Sequence, residues 1–148
     1  MGLFDRVLGL QTTTQAAFSP AEAYAAITLA AIASDGYLAD EEVEGFITNL
    51  NRMQLFKSYS GDVMRRMIDK LFGIMKRDGV EALFSLAKAS LPHEMAPSAF
   101  AVAADLILAD GVVTAEEQNF LNQLYGALEL SEDVAVKIIE VMMLKNRT

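Results

Sequence analysis

Cysteine is absent from the 148 residues, and with it go disulfides, zinc–thiolate sites and thiol nucleophiles. A single histidine, His93, excludes any site that needs two imidazoles. Tryptophan is missing, and proline occurs only three times. Basic residues are outnumbered, 12 Lys and Arg against 20 Asp and Glu, for a formal charge of −8. That deficit argues against nucleic acid and anionic lipid, which need Lys/Arg patches. Long hydrophobic runs are also lacking. Ala23–Ala33 and Ala99–Ala109, the second broken by Asp105, fall well short of the ~18–20 residues a bilayer span requires. The opening MGLFDRVLGL has no extended apolar core and carries Asp5, unlike a secretory signal. Arg6 stands where myristoylation wants Ser or Thr. The cytoplasm is the expected location.

What is present is apolar content, 53% of the chain. That is too much for a solvated coil and enough for one domain with a sizeable core. Strand signals are scarce; helix signals recur. Leu3, Phe4, Val7 and Leu8 form a short amphipathic piece, followed by a polar linker over Gln11–Ala17. Ser19-Pro20-Ala21-Glu22 is a helix start, with a cap, a proline at the first position and a glutamate to close a capping box. That helix is expected to end at Gly36. Further helices are predicted over about 40–53, 60–76, 80–89, 97–109, 115–128 and 132–144, the last capped by Ser131. Val63, Met64, Met67, Ile68, Leu71, Phe72 and Met75 define one face of the third. The expected fold is all-α, a compact bundle of seven to eight helices.

The chain resembles itself at an offset of about half its length. ITLAAIASDGYLADEEVEGFITNL aligns with VAADLILADGVVTAEEQNFLNQLY, pairing Asp35-Gly36 with Asp110-Gly111 and Glu41-Glu42 with Glu116-Glu117. The repeat cores span about 20–53 and 97–128. Each is an Ala-rich helix, a tight turn, and an amphipathic helix opening on Glu-Glu. A helix apolar around its whole circumference belongs in the middle of a bundle. Two central helices in a pseudo-twofold duplication are therefore expected.

Each copy reads D-G-x-Φ-x-x-x-E, the second half of an EF-hand loop. The first half fails, because Ala31, Ala33, Leu106 and Leu108 cannot supply oxygen ligands. Two readings of the acids remain. In one, Thr114 and Glu117 form a capping box and the leading glutamates offset the helix dipole. In the other, the turns converge, and Asp35, Glu42, Asp110 and Glu117 form a four-carboxylate site with Glu41 and Glu116 as neighbours. Aspartates at helix C-termini favour the second, since the dipole there opposes a carboxylate. An all-oxygen donor set suits a hard cation, Ca²⁺ or Mg²⁺. Asp105 is a candidate extra ligand, but reads better as a satisfied or rim-exposed acid.

The GLFDRVLG start, SDGYLADEE and ADGVVTAEEQNFL together resemble the tellurite-resistance TerB family over most of the chain. The resemblance implies an all-α fold of two related halves and metal binding through the acids of the two turns. It also implies a bacterial cytoplasmic or membrane-peripheral role in tellurite and stress resistance. The first copy departs from the second in having Ala39 where the second has Thr114. No enzymatic machinery is legible. There is no G-x-S-x-G elbow, phosphate loop or Glu-x-x-His, and His93 beside Glu94 reads as a loop histidine. A protein partner is the alternative expectation. The domain would then be an interaction module of a membrane-associated stress-response complex, using its acidic surface or a groove lined by Met64, Met67, Met75, Met142 and Met143.

Overall fold

The computed structural model describes residues 18–34, 40–109 and 111–147. These form seven α-helices, with no strand among the described residues: α1 (Pro20–Ile32), α2 (Asp40–Arg52), α3 (Gly61–Asp78), α4 (Val80–Ser90), α5 (Ala96–Leu108), α6 (Ala115–Ala127) and α7 (Glu132–Arg147). Short 3-10 turns at Gln54–Phe56 and His93–Met95 join α2 to α3 and α4 to α5. The all-α expectation holds. The amphipathic piece at Leu3–Leu8 and the linker at Gln11–Ala17 lie outside the described residues, as do Asp35, Gly36 and Asp110.

The helix boundaries follow local chemistry. Ser19 accepts from the Glu22 amide while Glu22 accepts from the Ser19 amide, the reciprocal box expected of that tetrapeptide. Burial pushes the Glu22 carboxyl up, but Lys70 at 2.8 Å and the bonds from Ser19 outweigh it and hold the group below the usual carboxylate range. Ser60 and Ser131 accept from the amides of Val63 and Val134. Gly79 ends α3 and begins α4 with no intervening loop, at φ +94°. Only glycine takes that conformation without steric cost. Pro97 does not start α5 but sits within its first turn, where the missing amide is tolerated.

α6 ends in a Schellman arrangement. The Glu129 amide donates to the Gly126 carbonyl and the Leu130 amide to that of Tyr125. Glu129 occupies the left-handed position at φ +59°, which an L side chain resists. Glu129→Gly should therefore raise the unfolding free energy by about 0.5–1 kcal/mol in urea titration.

α1 is the axis of the molecule. From Ala23 to Ile32 every residue is buried, Thr28 included, whose hydroxyl donates back to the Ala25 carbonyl at 2.9 Å. α4 and α5 pack most extensively on α1, while α3 covers α4 and α7 covers α5. The expectation of two enclosed central helices is half met. α5 buries Ala96, Ala99, Phe100, Ala103, Ala104 and Ile107, but Ala101, Val102, Asp105 and Leu106 remain partly accessible. Asp105 needs that rim: its carboxylate accepts from Asn146 at 2.8 Å and from Lys145 at 3.1 Å, tying the end of α7 to α5. It is a satisfied acid. The methionines are largely structural too, with Met64 and Met67 buried and Met75 and Met142 packed against the core.

Candidate functional site

Two contacts fix how α1 and α5 run. Near their starts, the Tyr24 hydroxyl meets the Ser98 hydroxyl at 2.6 Å. Burial pushes the Tyr24 phenol above the usual tyrosine range, partly opposed by that bond, so it stays protonated at neutral pH. Near their ends, Ile32 lines one cavity with Leu106 and Ala109. The helices therefore lie side by side and parallel. Both C-termini emerge at one pole; α2 follows α1 in the chain, and α6 follows α5.

That cavity encloses about 200 Å³. Its remaining lining comes from the first turns of α2: Glu41, Glu42 and Gly45. Glu41 is exposed and Glu42 half-buried. Parallel packing thus brings the first-copy glutamates against the end of the second-copy helix. Asp35 and Asp110 lie outside the described residues. Of the described residues beside them in the chain, Ala109 lines this cavity.

The second-copy glutamates behave differently. Glu117 is only 5% exposed, and its Oε1 accepts from the Thr114 amide at 3.0 Å while its own amide donates to Thr114 Oγ1 at 3.1 Å. This is the capping box expected of T-x-x-E, and it commits one carboxylate oxygen to the start of α6. Glu116 points to solvent. Gly111 takes φ +79°, the left-handed conformation expected of a glycine that ends a helix. The structure brings Glu41 and Glu42 together at the pole but does not line that cavity with Glu117. Among the described residues no group of three or more Asp, Glu or His is placed to share a metal.

His93 is exposed in the short turn before α5. It borders a shallow hollow with Leu91, Pro92, Ala127 and Leu128, where Glu129 is the one carboxylate. Sequence reasoning did not anticipate two larger hollows. One, about 330 Å³, lies between α6 and α7 over Phe100. The other, about 440 Å³, separates α2 from α3 and is floored by Val43, Ile47, Met64, Ile68 and Phe72. The excess of apolar residues on these helices beyond one buried face was their only signal.

Comparison of the chain with family models, with curated proteins and with solved structures finds no match. Among the described residues no helix is long and apolar enough to cross a membrane.

Proposed function

We propose that the chain is a non-catalytic, TerB-like domain of bacterial tellurite and stress resistance. It binds a hard divalent cation, Ca²⁺ or Mg²⁺, at the pole where α1 and α5 end. The observation that carries this reading is the parallel packing of those two helices, which sets Glu41 and Glu42 in one cavity with Ile32, Leu106 and Ala109. The C-termini of α1 and α5 put negative dipole ends at this pole, beside the positive N-terminus of α2. The turns carrying Asp35 and Asp110 leave from these same ends. Carboxylates brought together at this pole would repel one another unless a cation or protons offset them. With no cysteine and one distant histidine, oxygen ligands select Ca²⁺ or Mg²⁺ over softer metals. Glu117, committed to its capping box, contributes at most its second oxygen.

Thermal unfolding of the full chain tests this. A ligand that binds only the folded state at about 50 times its Kd adds roughly 2 kcal/mol. Millimolar Ca²⁺ or Mg²⁺ should then raise Tm by about 5 °C over the chelated protein. Asp35→Asn with Asp110→Asn should abolish the rise, and Glu117→Gln, which keeps the capping geometry, should retain it. An unchanged Tm with every hard cation at millimolar concentration overturns the reading.

The exposed acids on the first turns of α2, Asp40, Glu41 and Glu44, favour a second reading. In it the domain docks a basic surface within a membrane-associated stress-response complex. Binding of a partner that survives chelation and is lost on Glu41→Lys with Glu42→Lys would decide for that role.

A further inference from the structure

α7 is an outer helix that packs chiefly on α5. A helix with one principal neighbour buries one stripe and should be polar elsewhere. α7 buries Ala135 and half-buries Ile138, Ile139 and Met142, yet it also exposes Val134, Val136, Val141, Met143 and Leu144, each between 41% and 61% accessible. Most of the large apolar side chains exposed among the described residues belong to this one helix. Val136 and Met143 fall on the edge towards α6. Val134, Ile138, Val141 and Leu144 fall on the opposite edge, at the 4-3-3 spacing of a helix–helix seam.

The charges on α7 say what covers that second edge. Its first turn is acidic, Glu132 and Asp133, and its last turn basic, Lys145 and Arg147. Lys145 already pairs with Asp105, while Arg147 is exposed. A helix with acid at one end and base at the other is complementary to itself only when reversed. We propose that α7 pairs antiparallel with the α7 of a second copy of this chain about a twofold axis that crosses this edge between Ile138 and Val141. Val134 then meets the second copy's Leu144, and Val141 packs across the axis. Asp133 faces the second copy's Arg147, and Lys137 faces its Glu140. The opposed dipoles add to the attraction. The interface is isologous, so each contact occurs twice.

A helix of this length spans about 24 Å. Pairing two of them buries less than the roughly 1,200–2,000 Å² of a stable complex. A seam of one helix per partner belongs to the small, transient class, so association is sought at protein concentrations of about 10–1,000 µM.

Sedimentation equilibrium of the full chain across that range should show the mass rising from the 16.1 kDa monomer towards twice that value. Val141→Asp with Leu144→Asp, both exposed positions, should hold it at the monomer while leaving the helical circular dichroism and Tm of the dilute protein unchanged. Asp133→Lys alone should weaken association at least tenfold, and adding Arg147→Glu should restore it, which parallel pairing would not give. A monomeric mass throughout overturns the proposal. So does a dimer indifferent to the Val141/Leu144 substitutions. Flotation of the wild-type monomer with phosphatidylcholine vesicles, lost in the same variant, would assign the face to a lipid surface and equally overturn it.

Discussion

Phe100→Ala should lower the unfolding free energy by about 3–5 kcal/mol, the range for removing a buried aromatic ring. Phe100 is 1% exposed and lies on α5 beneath the hollow between α6 and α7. Large-to-small substitutions cost least where neighbours collapse into the space. Here that collapse is blocked. Leu121, Tyr125, Ala135 and Ile139 already border an unfilled cavity, and α7 is held at its far end by Asp105. Deleting the ring merges a new void with an existing one, so the upper part of the range applies. Against a total stability of about 5–15 kcal/mol, this is a large fraction. In urea the midpoint should fall with the slope unchanged, and Tm should drop by about 10 °C. Phe100→Leu keeps most of the volume and should cost under about 1.5 kcal/mol. A loss below about 1 kcal/mol for the alanine variant would show that α6 and α7 close over the gap.

The helices were legible because their signals are local. Ser19 to Glu22 and Thr114 to Glu117 act within four residues, and the structure realises both boxes as read. Gly79 punctuates because a backbone angle demands it. Glu129 was not legible as a left-handed residue, since glutamate carries no such signal. The stripe on α3 was read correctly as a face, but Val63 at its edge is exposed and Phe72 and Met75 only half-buried. Periodicity gives a direction and not a width. α7 shows the limit more sharply. Its sequence marks a helix capped by Ser131, and only the tertiary arrangement reveals that it packs chiefly on one neighbour. At the acidic pole, capping and ligation call for the same residue types at the same spacing. They differ in where a carboxylate points, and for Glu117 the structure shows it turned to its own helix. The parallel course of α1 and α5 rests on relations between distant residues, the Tyr24–Ser98 hydrogen bond and the cavity that Ile32 shares with Leu106, which no local pattern encodes.

That parallel pair depends on small side chains, and Ala31→Leu should cost about 3 kcal/mol, the upper end of the usual range for overpacking. Ala23, Ala25, Ala26, Ala30 and Ala31 are wholly buried on α1, which meets α2, α4, α5 and α6 around its circumference. Interaxial distance is set by the side chains at the crossing, and alanine permits the closest approach after glycine. Leucine adds three carbons where there is no accessible volume, so either the rotamer strains or a neighbouring helix moves. Helix propensity does not account for a loss, because leucine ranks close to alanine. Ala89→Leu on the exposed side of α4 is the matched control and should stay within about 0.5 kcal/mol. Ala31 lies seven residues after Tyr24, on the stripe of α1 that meets α5, and directly before Ile32 at the acidic cavity. Displacing α1 from α5 there widens the spacing of the two turns. If a cation bridges them, Ala31→Leu should also shrink its stabilising effect to less than half, whereas Phe100→Ala, nearer the other end of α5, should leave it intact. An equal response in the two variants would mean that the separation of α1 and α5 does not govern cation binding.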